Sequence, residues 1–145
     1  MNDISEAILR HSEQLESKLK RINYLKERIG QPYQMFWSSG EYQGCFLPVY
    51  IVYPDLPRYP LGADADSHKR NFVYGMRIIQ NHAKEIRLEE VEAGDVLACE
   101  YNGELHVALM LNTSDLIHVF RGKSLMQHSL SFFGKRELKF FRVID

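Results

Sequence analysis

The chain is poor in cysteine, tryptophan and net charge. Its 145 residues include two Cys, one Trp, and 18 Lys+Arg against 19 Asp+Glu. Cys45 and Cys99 are too few for a disulfide framework. No Cys-x-x-Cys pair or Cys/His cluster has zinc-site spacing, and no metal or organic cofactor is implied. A formal net charge of −1 excludes a binder that works by phosphate neutralisation alone, so no nucleic-acid partner is expected. No apolar run approaches the ~20 residues of a membrane span. The opening MNDISEAILRHSEQLE lacks a basic segment followed by an apolar one, so no secretory signal is read. The expected location is the reducing cytoplasm, with a virion or a signal-independent export route as alternatives. Internal repeats, linkers and low-complexity runs are absent as well.

What is present is a globular composition, 45% apolar and 12% aromatic. A chain of this length makes one domain, residues 1–145, able to bury roughly two thirds of its unfolded surface. Residues 3–29 read as one helix, because Ile4, Ile8, Leu15, Leu19, Ile22, Leu25 and Ile29 recur at helical steps. Gly30 and Pro32 stop it. Residues 31–44 form a Gly/Ser loop rich in aromatics. CFLPVYIVY from Cys45 onward reads as a short buried helix with Pro48 in its first turn. A β-strand is the rival there, since Val49, Ile51 and Val52 are β-branched. After the Pro54–Pro60 loop, Asp64, Asp66 and Ser67 are N-cap candidates for a helix of about 18–20 residues. Its stripe is Phe72, Val73, Met76, Ile79, Ala83 and Ile86. The period then falls to two. Residues 92–122 read as three strands with a hairpin at Asn102-Gly103 and a second turn at Asn112–Asp115, and residues 136–144 as a fourth. Helices followed by an antiparallel sheet indicate an α+β fold.

Cys45, His106 and His118 are the residues with chemistry to offer. A thiol nucleophile needs its thiolate, which a helix N-terminus and a neighbouring imidazole both favour. Amides at the head of a helix starting at Cys45 could also hold the oxyanion formed on a carbonyl. A hairpin turning near Asn112 brings His106 and His118 onto adjacent strands. They share a face only if the loop is odd or a bulge intervenes. Cys99 reads as a core or edge residue. His11, His68, His82 and His128 fall on helix faces or loops, with no partner to argue for.

The stretch GDVLACEYNGELHVALMLNTSDLIHVFRG resembles the C-terminal half of NlpC-type cysteine peptidases, papain-like hydrolases of bacterial and phage cell walls. Gly94-Asp95-Val96, His106-Val107-Ala108-Leu109-Met110-Leu111 and Ile117-His118 fall on that pattern. Upstream, Gly30-Gln31-Pro32-Tyr33 is similar to the family's Gly-x-Pro-Tyr, and Cys45 falls where its nucleophile stands. The resemblance covers about residues 20–122. It implies a papain-like α+β fold, with N-terminal helices on an antiparallel sheet or half-barrel of four to six strands. It also implies Cys45 as nucleophile, His106 as base and then acid, and His118 as the orienting third residue. Tyr33 would be the aromatic hydroxyl beside the thiol; separately, the aromatic loop is read as offering Tyr33, Trp37 and Tyr42 to a substrate groove, which would favour a peptide over a small ligand. The implied reaction is amide hydrolysis of a cell-wall stem peptide through a thioester. Gly44-Cys45-Phe46 departs from the family's Asp-Cys-Ser/Trp/Tyr, and Ala108 replaces its glycine. Two alternatives stay open. One is a blunted phage or prophage tail-associated or structural protein; whichever holds, the N-terminal helix is open to phage-tail or self-association. The other is an acyltransferase or amidase on a small substrate.

Overall fold

Helical periodicity in the first half and alternation in the second become two layers. A computed structural model of the protein describes residues 3–31, 44–57, 68–120, 123–134 and 136–144. Three α-helices are described: α1 (Asp3–Lys26), α2 (Leu47–Val52) and α3 (His68–His82). Six strands follow: β1 (Ala83–Ile86), β2 (Val96–Tyr101), β3 (Glu104–Met110), β4 (Asp115–Val119), β5 (Leu125–Ser129) and β6 (Lys139–Val143). They form one antiparallel sheet in the order β1-β6-β2-β3-β4-β5. The α+β architecture of helices on a six-stranded sheet is as expected.

Acidic Asp3 and Glu6 in the first turn of α1 and Lys26 in its last suit the helix dipole. Only Ile22 and Leu25 of its stripe are buried; Ile4, Ile8, Leu15 and Leu19 stay exposed. The chain turns at Gly30, whose φ of +93° needs no side chain to be accommodated. The Gly30 amide donates to the Leu125 carbonyl at 2.7 Å, which ties the end of α1 to β5.

The segment after Cys45 is helical, preceded by a 3₁₀ turn at Gly44–Phe46, with Pro48 in the first turn of α2. There the missing proline N–H would have had no helical partner. Packing between the layers joins Leu47, Val49 and Val52 of α2 and Phe72, Met76 and Ile79 of α3 to Val96, Val107, Leu109, Ile117 and Val119 of the sheet. The other face of the sheet carries Leu97, Cys99, Ala108, Met110, Leu116 and Phe140. A 3₁₀ turn, Leu130–Phe133, closes over that face with Phe133 fully buried.

Two strands differ from the sequence expectation. The stripe assigned to one long helix ends at His82, and Ala83 and Ile86 belong to β1. Pairing with β6, from Ala83↔Val143 to Ile86↔Phe140, captures that backbone. It also sends Ile86 into the cluster opposite the helices, so tertiary pairing overrides the helical period. Val73, placed on the same stripe, is 40% exposed. The N-cap candidates Asp64, Asp66 and Ser67 lie outside the described residues. The second difference is β5. Its burial alternates, but among its side chains Leu125 alone is both apolar and fully buried, so LMQHS carries little apolar alternation to read.

The start of β2 is anchored by a buried carboxylate. Asp95 accepts from the Arg142 guanidinium at 3.1 and 2.9 Å and from the Glu92 amide at 2.8 Å. Beside it the Tyr53 hydroxyl donates to the Gly94 carbonyl at 2.6 Å, linking the end of α2 to the sheet. Arg142 also pairs with Glu92 at 3.2 Å and donates to the Glu90 carbonyl, so removing Asp95 costs chiefly its buried bonds to the guanidinium and to the Glu92 amide. Asp95→Ala should therefore cost about 2–3 kcal/mol of stability, seen as a lower urea midpoint with unchanged slope.

Candidate active site

Cys45 sits in the 3₁₀ turn that leads into α2 and is 6% exposed. The next residue locks it in place. Phe46 is buried, with its ring 5.5 Å from that of Phe72 and 6.5 Å from that of Tyr50. Opposite it stands Gly75 of α3, where an added Cβ would lie 2.6 Å from the Phe46 ring. The Phe46 departure from the family pattern is thus absorbed by a helix that approaches with a bare backbone.

The hairpin determines which backbone groups face the thiol. Asn102 and Gly103 have φ of +51° and +81°, the double left-handed turn of a two-residue hairpin. Tyr101↔Glu104 closes it. In such a hairpin the closing pair is hydrogen-bonded, and bonding alternates from there. Residues 104, 106 and 108 therefore turn their amides toward β2, and 105, 107 and 109 toward β4. The β3–β4 pairs are Leu109↔Ile117 and Met110↔Leu116. Beyond them toward the hairpin, among the described residues, the ladder does not extend to Val107. There the Val107 amide lies toward the Cys45 thiol and favours its ionised form. The thiol thus reaches the sheet at the seam where β3 and β4 part.

The same pairing answers the question of the two histidines. With Met110 opposite Leu116, residues 111–115 make the odd loop that places His106 and His118 on one face. Asn112 Oδ1 accepts the Ser114 and Asp115 amides, both at 2.8 Å, and shapes this turn. His106 Nε2 and His118 Nδ1 are 2.9 Å apart. Both rings are buried, on the side of the sheet opposite α2, among Phe120 and Phe133. His106 stacks on Phe120 at 4.3 Å. His106 projects from β3 and His118 from β4, so they flank the seam that the sulfur enters.

His128 was expected on a helix face or loop without a partner. It lies on β5 instead, and its Nδ1 is 2.8 Å from His118 Nε2. The ring stacks on Phe132 at 4.0 Å. Its signal in the sequence was weak, since β5 itself was not legible there. The expected groove residues Tyr33, Trp37 and Tyr42 lie outside the described residues. Two concavities lined by described residues lie elsewhere. One is between α1 and the end of α2, near Arg21 and Tyr53, and the other is beside the hairpin, near Cys99 and Arg136. No three His, Cys, Asp or Glu among the described residues are grouped to hold a metal ion.

Burial dominates the electrostatics. It pushes the Cys45 thiol up to about 12, opposed by the amides of Val107 and of Cys45 itself. It pushes Cys99 up to about 11, opposed by Arg136. Desolvation, then repulsion from His128, lowers His118 to about 4. The six residues of α2 give only a small dipole, so the Val107 amide of β3 joins the Cys45 amide in favouring the thiolate. At rest the site holds a protonated thiol and a neutral His118.

No family profile and no curated protein matches the chain. Solved structures share its fold, two of them described as NlpC/P60 proteins. One is a protein described as similar to lipoprotein, NLP/P60 family, from Staphylococcus aureus subsp. aureus Mu50. The likeness there has a TM-score of 0.57 and 21% identity, over 90% of this chain and 42% of that one. This chain thus spans less than half of that protein's length. The other is the NlpC/p60 domain of the peptidoglycan hydrolase SagA, with a TM-score of 0.53 and 19% identity, over 84% of this chain and 96% of that domain. The fold is that of NlpC/P60 domains, as the motif resemblance implied.

The lowered His118 carries a stability prediction. Its folded value lies below the ordinary 6.5, so the unfolded chain binds more protons between about pH 6.5 and 4. Its neutral burial is fully tolerated above pH 6.5, and stability falls as the pH drops toward 4, by up to about 3 kcal/mol. His118→Asn should flatten that part of the profile relative to wild type in urea unfolding between pH 7.5 and 4.5.

Proposed function

We propose that the chain is a single hydrolase domain over residues 1–145 that cleaves an amide bond with Cys45, His106 and His118. Its proposed substrate class is a cell-wall stem peptide. The observation that carries the reading is the seam between β3 and β4. The Cys45 sulfur meets the Val107 amide there, one residue from His106, and His118 holds the far nitrogen of the His106 ring. Because Nε2 bonds His118, base chemistry at His106 falls to Nδ1. The NlpC/P60 fold and the neighbour described as a peptidoglycan hydrolase support the substrate class.

The reaction follows from the resting charges. With the thiol pushed up to about 12, little thiolate stands ready. Proton transfer to His106 therefore accompanies attack. The sulfur bonds to the carbonyl carbon, and the π pair moves to oxygen, where the Cys45 amide is a donor. Collapse of this intermediate breaks the C–N bond, and the leaving amine takes the proton from His106. Water, deprotonated by His106, then cleaves the thioester and restores the thiol. His118 orients the ring and stays neutral throughout.

A second reading has its own observation. Both thiols are buried and shifted upward, which suits a blunted, structural member of the fold. Neither neighbour is described as a phage protein, so a tail-associated role has no support from them. No helix among the described residues is long and apolar enough to cross a membrane.

Incubation with purified peptidoglycan should release new amino groups. Cys45→Ala and His106→Ala should each lower the rate by ~1,000-fold or more, and His118→Ala by about 10–100-fold. Cys99→Ser should leave it unchanged. Turnover that survives in Cys45→Ala would reject the thiol mechanism. No release by wild type, with Cys45 unmodified by iodoacetamide at pH 7–8, would favour the structural reading.

A further inference from the structure

We propose that His128 is a positioning residue that ends a three-imidazole chain and holds His118, and through it His106, in the tautomer that a thiol-directed base requires. The inference rests on the reading of His106 as that base. Its physical content, the tautomer of each ring, can be tested without any substrate.

A neutral imidazole has one donor nitrogen and one acceptor. The contacts run in one sense: His106 Nε2 to His118 Nδ1 at 2.9 Å, then His118 Nε2 to His128 Nδ1 at 2.8 Å. Two arrangements of neutral rings satisfy both bonds. With every proton on Nε2, donation runs outward from His106 to His128, and His106 Nδ1 is an acceptor. With every proton on Nδ1, donation runs inward, and His106 presents a proton where a base must present a lone pair. The chain is all or none, because His118 is fully buried and both its nitrogens are engaged.

His128 is the member that can set the sense. It is half-buried on β5, an edge strand, whereas the other two rings are buried. Its plane is held by stacking on Phe132, 4.0 Å away and 18° from parallel. His118 meets the rings of Phe132 and Phe133 edge-on at 5.2 and 5.6 Å. These walls hold the rings in place, so the chain's remaining freedom is where the protons sit. Neutral His128 with its proton on Nε2 offers Nδ1 as the acceptor that draws the chain outward. Donation from its Nδ1 would drive the chain inward and leave His106 unable to act. The nearest ionisable side chain on the strand it pairs with is His118. Asp115, also on β4, lies on the other face. The remaining residues of β5 and the Leu130–Phe133 turn carry none.

The test is long-range ¹H–¹⁵N correlation of the histidine rings in wild type, His128→Phe and His128→Asn at pH 7.5. Phe keeps the stack on Phe132 and removes the acceptor. Asn restores an acceptor oxygen near the position of Nδ1. Wild type is expected to show His106 and His118 protonated on Nε2, His128→Phe to move protonation on both rings toward Nδ1, and His128→Asn to restore the wild-type pattern. Wild-type rings protonated on Nδ1, or rings unchanged in His128→Phe, would overturn the proposal. If the Phe variant does not fold, an Asn variant that fails to keep the wild-type pattern overturns it equally. If peptidoglycan is hydrolysed, kcat should fall roughly tenfold in His128→Phe with KM unchanged, and recover in His128→Asn. Absence of hydrolysis would count against the proposed function and leave the ring tautomers to decide this inference separately.

Discussion

The phase of the Asn102–Gly103 hairpin governs the site. A two-residue turn with both φ angles positive leaves no choice about which residues of β3 bond to β2. It therefore determines that Val107 turns its amide toward β4 and that His106 projects from the face opposite α2. A turn one residue longer would reverse both assignments. The sulfur would then meet a carbonyl-and-amide row already used by β2, and the imidazole would point into the helix layer. The Met110↔Leu116 pairing adds the second condition, since its odd loop brings His118 to the same face. Because the two turns agree in parity, His106 and His118 meet on one face, and the Cys45 thiol lies toward the amide of the neighbouring Val107.

Much of this was legible beforehand, for identifiable reasons. Asn102-Gly103 is a local signal with a local cause, so the hairpin could be read directly. Pro48 and the loop around Cys45 placed the thiol at the head of a short helix, although β-branched Val49, Ile51 and Val52 also allowed a strand. The spacing of His106 and His118 marked the pair, but their common face depended on a register that no single residue states. What was not legible depended on partners distant in the chain. Residues 83–86 continue the helical period of α3 and become a strand because β6, some sixty residues later, pairs with them. β5 has a polar middle and is defined by β4 on one side. His128 could not be assigned to the site while its strand was invisible. Phe46, a departure from the family motif, is explained only by Gly75 on a helix that starts far downstream.

The setting of the imidazoles explains why the chain of rings is both costly and useful. His106 and His118 lie among Phe120, Phe132 and Phe133, where an unpaired polar nitrogen would be penalised heavily. Each ring-to-ring bond removes such a penalty and at the same time restricts where protons can sit. Burial also lowers His118 and raises Cys45, so the resting state holds little charge. In the proposed reaction, charge that develops during attack would be met by groups already in place: the Val107 amide at sulfur and the His118 ring at His106. Fixed donors in a dry site need no reorganisation when charge develops, which makes them worth more than mobile water. The same dryness means that no bulk solvent can correct a wrong tautomer at His118. That correction has to come from the one end of the chain that is only half-buried, on β5.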